Sequence, residues 1–186
     1  MSEKFDHLNE PTLSTRRIYD GRVVKLREDV VRLPSGKEAK REIVEHAGAV
    51  CVVAIQADGQ IIMVRQYRKP AELALLEIPA GGLEAGEAPL ECAMRELAEE
   101  CNLQAQNWEP LFKAFLAPGY SSEMMYGFLA EGLSEVHGEQ DEDENVHVER
   151  YSLNVLLAMI DDARICDAKT ICGLLAWYKR NAEKTH

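Results

Sequence analysis

The chain has 186 residues, 46% of them apolar, and a net charge of −11, which is enough for one core with a small appendage. The charge argues against a general nucleic-acid binder, because phosphates would repel such a surface before any base was read. The first ten residues are polar and acidic, and the longest apolar run, Ala49 to Ile55, is too short to span a bilayer, so neither a secretory leader nor a membrane anchor is expected and the compartment should be the cytoplasm. Five cysteines with no CxxC pair suit reduced, core-filling thiols in that compartment.

In chain order, Ile18 to Val31 alternates loosely, Leu33-Pro34-Ser35-Gly36-Lys37 is a turn signal, and Ala39 to Glu45 is a further strand. Residues 1–47 therefore read as a small antiparallel β unit, and 48–186 as the main domain. That domain opens with a hairpin, Ala49 to Gln56 and Ile61 to Tyr67 around the turn Ala57-Asp58-Gly59-Gln60. Pro70 and Pro79 interrupt the next stretch, and a helix starts near Pro89. Its apolar residues Leu90, Met94, Leu97 and Cys101 recur at helical spacing and predict a core-facing stripe, with Glu96, Glu99 and Glu100 off it. Strands follow at Met124 to Ala130 and Val146 to Tyr151, separated by an acidic loop, and then helices at Leu153 to Ala163 and Asp167 to Asn181. This order predicts an α+β fold with a mixed sheet between helical layers, preceded by the small antiparallel unit.

Charge is unevenly distributed. Met1 to Gly48 carries ten basic and nine acidic side chains, and the rest of the chain eleven and twenty-three. The acidic excess gathers at Glu84 to Glu100 and at Glu139 to Glu149. Hard carboxylate oxygens at that density suit divalent cations, although solvated acidic faces look similar. Within the first cluster, Glu96 and Glu100 are one helical turn apart on one face and repel each other unless a cation intervenes. Arg95 stands four residues from both Glu91 and Glu99 and can pair with either.

The stretch Gly81 to Leu103, GGLEAGEAPLECAMRELAEECNL, resembles the Nudix box, with Gly81, Glu87, Arg95, Glu96, Leu97, Glu99, Glu100 and Leu103 in register. Asn102 stands where the family has glycine, and it is the next most tolerant residue of a left-handed backbone. The resemblance implies an α/β/α sandwich and a Mg²⁺-dependent pyrophosphatase binding two or three ions, with Mn²⁺ as an alternative. The implied ligands are the Ala80 carbonyl, Glu96 and Glu100, and the box also brings Arg95 and Glu99 into the site. Such chemistry needs cations because phosphate oxygens repel an attacking water.

The likeness runs beyond the box. Val64-Arg65-Gln66-Tyr67-Arg68, Leu76-Glu77-Ile78-Pro79-Ala80-Gly81 and Ala117-Pro118-Gly119-Tyr120-Ser121-Ser122-Glu123 resemble the ADP-ribose pyrophosphatase branch, whose substrate-class proline falls at Pro118. That likeness implies hydrolysis of ADP-ribose, with Arg41, Arg68 and Glu123 binding substrate. It also implies Glu142 as general base and Glu144 as a further metal ligand in the loop EQDEDEN, with Glu99 the next candidate for the base. An EF-hand is excluded there, since Val146 occupies its glycine position and Ser152 its bidentate glutamate. The branch further implies a homodimer in which the N-terminal unit, through Arg41, serves the partner's site. Rival readings are a pyrophosphatase for GDP-mannose, ADP-glucose or an oxidised nucleotide, and a ligand sensor that has lost catalysis.

Overall fold

The computed structural model describes residues 3–138 and 145–184. The chain divides into two compact units, Met1–Ala47 with Ala117–Glu123, and Gly48–Leu116 with Met124–His186.

The first unit is an antiparallel sheet of β1 (Thr12–Asp20), β2 (Lys25–Arg32) and β3 (Glu38–Glu45), in that order, preceded by a 3-10 turn at Glu3–Leu8. The loosely alternating Ile18 to Val31 region is thus two strands, folded back where Gly21 N–H donates to the Val24 carbonyl at 2.9 Å. A side chain at Gly21 would fall 2.5 Å from the Tyr19 ring. Gly36, at φ 83°, closes the β2–β3 turn in the left-handed region that glycine tolerates. The segment Ala117–Glu123 belongs to this unit because Val44 uses both backbone groups on it. Val44 N–H donates to Tyr120 O at 2.8 Å, and Ser122 N–H donates to Val44 O at 3.0 Å.

The second unit contains β4 (Ala49–Ile55), β5 (Gln60–Arg68), β6 (Leu73–Glu77), β7 (Ala80–Gly82), β8 (Leu103–Phe115), β9 (Met124–Glu135) and β10 (Val146–Ser152). Its helices are α1 (Pro89–Cys101), α2 (Leu153–Asp161) and α3 (Ala168–Lys184). Strand order is β10-β5-β4-β9-β8, with β6 on β5 and β7 on β4, and β4 runs parallel to β9, so the sheet is mixed as the pattern predicts. Every residue of β4 is buried. Cys51 and Val53 pack with Leu156, Ile165, Leu174 and Trp177 of the α2–α3 side. Val50, Val52 and Ala54 pack with Cys92, Ala93, Leu97 and Cys101 of α1. The alternation of side chains along one strand thus serves two helical layers.

Three strands escape the sequence pattern, and one of them is β7, where the glycines of Ala80–Gly82 suggest a corner but pair with β4. β6 lies between prolines, and β8 is a half-exposed strand of mixed polar and apolar residues, interrupted by Pro110 and held by pairing with β9 across an irregularity at Pro110/Phe112. The predicted stripe on α1 is also rotated. Leu90 and Met94 are exposed, whereas Cys92, Ala93, Glu96, Leu97, Glu100 and Cys101 are buried. Nor do all cysteines fill the core, because Cys166 and Cys172 are exposed.

A buried polar network links the strands beneath the α1 site to α3. Arg68 forks onto the Glu77 carboxylate through Nε at 2.9 Å and Nη2 at 2.8 Å. Lys169 donates to Glu77 as well, and to Asp167 at 3.0 Å. Asp167 accepts the Thr170 N–H at 3.0 Å and its hydroxyl at 2.6 Å, and Thr170 Oγ1 accepts the Ile78 N–H at 3.0 Å. Glu77 is only 1% exposed. Burial would raise its pKa, but the hydrogen bonds from Arg68 and the charge of Lys169 outweigh that and hold it below the ordinary carboxylate value. A depressed folded pKa contributes stability above the unfolded pKa and loses it as pH falls through the folded value. The contribution of Glu77 to the stability of the second unit should therefore be complete above the ordinary carboxylate range and be lost from there downward, as pH falls through the folded value. Glu77→Gln, which removes the counter-charge of half-buried Arg68 and leaves buried Lys169 with Asp167 alone, should lower unfolding free energy by about 3 kcal/mol. Urea denaturation measures this, and a loss under about 1 kcal/mol would show that the network contributes little.

Candidate functional site

α1 begins at Pro89, whose missing N–H is harmless in the first turn, and the Glu91 carboxylate accepts the Ala88 N–H at 3.3 Å. Glu91 is thereby engaged at the helix start and is not the partner of Arg95. The helix ends at Asn102, in the left-handed conformation at φ 54° and ψ 38°.

Between these ends, Glu96 and Glu100 are 7% and 2% exposed. Both lie against β7. The Ala80 N–H donates to Glu100 Oε2 at 3.0 Å. The Glu96 carboxylate occupies the space beside Gly81, where a Cβ would stand 1.9 Å from Glu96 Cδ and Oε1. The box glycine is thus required by close approach of a carboxylate and not by backbone conformation, since its φ is not positive.

Arg95 is the hub of the helix face. Its Nε and Nη2 fork onto Glu87 at 2.9 and 3.1 Å, while Nη1 donates to Glu96 Oε1 and Glu99 Oε2 at 2.9 Å each. Nη2 also donates to the Gly82 carbonyl at 3.2 Å. The Arg95 hydrogen bonds, helped by the Glu84 N–H, hold the Glu87 carboxyl down at about 2. Its carboxylate partners raise the Arg95 pKa in turn. One guanidinium therefore ties the loop before α1 to the helix and fixes the orientation of Glu96.

The structure brings Ala80, Arg95, Glu96, Glu99 and Glu100 together. Arg68, in the same unit, is held by Glu77, and the negative charge of Glu100 also reaches it. Arg41 and Glu123 belong to the first unit. There Arg41 forks onto Glu10 at 2.9 and 2.7 Å and lines a pocket of about 360 Å³ with Glu10, Ile43 and Pro118 to Ser122. The Glu123 N–H donates to Ser121 Oγ at 3.1 Å. Glu142 and Glu144 lie outside the described residues. Glu77 and Lys169 are the supports that sequence reasoning missed, and a pair separated by 92 positions leaves no spacing signal.

Among the described residues, no three or more His, Cys, Asp or Glu side chains form a ready-made cation cage. The donor chemistry nonetheless suits a hard divalent ion, because two buried carboxylates share one helix edge beside the Ala80 backbone.

Comparison with known proteins adds two family matches. The model described as NUDIX domain matches residues 45–173, and that of the nucleoside diphosphate sugar hydrolase N-terminal domain matches residues 10–44. The chain is 45% identical over 167 residues to the methanol dehydrogenase activator of Bacillus methanolicus, covering 89% of this chain and 90% of that one. It is 44% identical over 165 residues to the ADP-ribose pyrophosphatase of Bacillus subtilis (strain 168), covering 88% and 89%. A solved structure described as an ADP compounds hydrolase shares the fold, with a TM-score of 0.84, 22% identity, and coverage of 95% and 96%.

The close approach at Gly81 generates a test. Gly81→Ala should displace the Glu96 carboxylate and weaken Mg²⁺ affinity by at least about tenfold, as altered ligand support does elsewhere, without unfolding the chain. Calorimetric titration with Mg²⁺ alone, beside circular dichroism, measures both. Unchanged affinity would show that cation binding does not need Glu96 against Gly81.

Proposed function

Because the chain belongs to the NUDIX family, we propose that it is the hydrolase which cuts the pyrophosphate bond of ADP-ribose, releasing AMP and ribose 5-phosphate. The observation that carries this reading is the pair of buried carboxylates, Glu96 and Glu100, set against Gly81 and Ala80 and oriented by Arg95. The choice of ADP-ribose rests on the relative of that name at 44% identity.

The residues that would hold Mg²⁺ are the Ala80 carbonyl, Glu96, Glu100 and Glu144, with two or three ions in all. When bound, the cations neutralise the diphosphate and acidify a water. Glu142 would accept a proton from the attacking water, and Glu99 is the alternative base. Arg95 keeps Glu96 and Glu99 in place throughout. Arg68, its Nε and Nη2 occupied by Glu77, is a pre-oriented cation for a phosphate or ribose oxygen. Glu123 hydrogen-bonds sugar hydroxyls.

Residues 1–47 form the dimerisation part and 48–186 the hydrolase in this reading. The protein works as a cytoplasmic homodimer, acting on a small nucleotide sugar and not on nucleic acid or membrane, and Arg41 reaches the partner's site. Support comes from β1, all nine of whose residues are exposed, including Leu13, Ile18 and Tyr19, an apolar set suited to burial between copies. Among the described residues, no helix is long and apolar enough to cross a membrane. A relative at 45% identity is named for activating methanol dehydrogenase. A second reading is that this chain also acts on such an enzyme, and a methanol dehydrogenase assay with and without the chain tests it.

Two outcomes are expected. Activity on ADP-ribose should vanish with chelator, and Glu100→Gln should lower kcat at least about 10²-fold, whereas GDP-mannose, ADP-glucose and 8-oxo nucleotides should be turned over more slowly. Chelator-resistant hydrolysis, or a preference for another member of that panel, would overturn the assignment. Light scattering should give a dimer at assay concentration, and a fully active monomer would remove the role given to Arg41.

A further inference from the structure

At the end of α1, Asn102 stands where the box pattern has glycine, and its side chain is engaged. Its N–H donates to the Ala98 carbonyl at 2.9 Å, as a left-handed cap of any kind would. Its carbonyl accepts the Val136 N–H at 3.0 Å, which holds the end of β9 to the helix. Its Oδ1 accepts the Gly138 N–H at 3.1 Å, a contact that glycine at this position has no atom to make.

Gly138 is held on a surface that accepts no side chain. A Cβ there would stand 1.9 Å from the Ala98 carbonyl oxygen, 2.4 Å from its carbon and 2.9 Å from the Glu99 nitrogen. The backbone of Gly138 therefore lies on the turn of α1 that carries Glu99 and Glu100. These observations involve only residues of the second unit. In sequence, Gly138 immediately precedes the stretch that contains Glu142 and Glu144.

We infer that Asn102 is a positioning residue for the hydrolase reaction: its side-chain amide clips Gly138 to the last turn of the box helix and so sets where the acidic segment begins relative to Glu99 and Glu100. This rests on the functional reading above, which places the base in that segment. Glycine at position 102 would satisfy the left-handed cap at lower conformational cost but would leave Gly138 N–H to water. Two residues divide the task, since Asn102 supplies the acceptor and Gly138 the absence of a Cβ. The device touches neither substrate nor cation and acts through geometry, where small misplacements lower turnover more than binding.

The test compares Asn102→Gly, Asn102→Asp and Gly138→Ala with the wild type, reading amide exchange at Val136 and Gly138 in metal-free protein, then kcat and KM under saturating Mg²⁺. Asn102→Gly should speed Gly138 exchange and lower kcat by about fivefold, the equivalent of one hydrogen bond of about 1 kcal/mol. KM and the Val136 amide, which depends on the backbone of residue 102, should change less than about twofold. Asn102→Asp retains an acceptor and a left-handed preference, and should restore both quantities. Gly138→Ala should lower kcat at least as much as Asn102→Gly. Three results overturn the inference: wild-type exchange at Gly138 in Asn102→Gly, faster exchange with unchanged kcat, or failure of aspartate to rescue. A wild type inert toward every diphosphate tested would overturn it together with the functional reading, whereas an active wild type with an equally active Asn102→Gly overturns the clip alone.

Discussion

Burying two ionised carboxylates on one helix edge is the constraint from which most of the second unit follows. Glu96 and Glu100 are among the most buried side chains of α1, and charge in such a place costs several kcal/mol unless it is compensated. Compensation comes from backbone and cation together, the Ala80 N–H on Glu100 and the Arg95 guanidinium on Glu96. The rest of the helix conforms to this. Small residues, Cys92 and Ala93, fill the space against β4, while Leu90 and Met94 turn outward. Arg95, held by Glu87 in the preceding loop, lets one guanidinium serve as both counter-charge and strut.

A second layer of support lies on the other side of the strands. The segment that ends in Ala80 is fastened at Glu77 and Ile78 to the start of α3. The last helix of the chain thereby steadies the backbone that meets Glu100, so residues remote in sequence limit how far the site can shift. Such side-chain networks are rigid when every member is satisfied, and here Arg68, Lys169, Asp167 and Thr170 each have a partner.

Local signals carried much of this into the sequence. The hairpin of β4 and β5, the three helices and the box were legible because turn chemistry and hydrophobic period act over a few residues. The mixed sheet and its helical layers were legible from element order. What escaped was decided by tertiary context. β8 mixes polar and apolar residues without clean alternation, contains Pro110, and is made a strand by its pairing with β9. The face of α1 is only half legible because apolar residues normally turn inward, whereas two of the six buried positions of this helix are glutamates. The link from Lys169 to Glu77 and the fork of Arg41 onto Glu10 join positions with no periodic relation. The conservative look of asparagine for glycine at position 102 concealed a second function, visible only once Gly138 is seen beside it.

The discontinuity of the first unit has a consequence for how the chain is made. Its three strands leave the ribosome early, but the segment that occupies both backbone groups of Val44 comes from Ala117–Glu123. All of β4 to β8 must be synthesised before that partner exists, a wait of several seconds at roughly 5–20 residues per second. During that interval the edge of β3 is an open template for other strands. The nascent chain thus passes through a period in which the Val44 end of β3 lacks the partner it has in the finished protein, and chaperone demand should be concentrated there. For the same reason, cutting the gene at the Ala47–Gly48 boundary would not yield an intact N-terminal module.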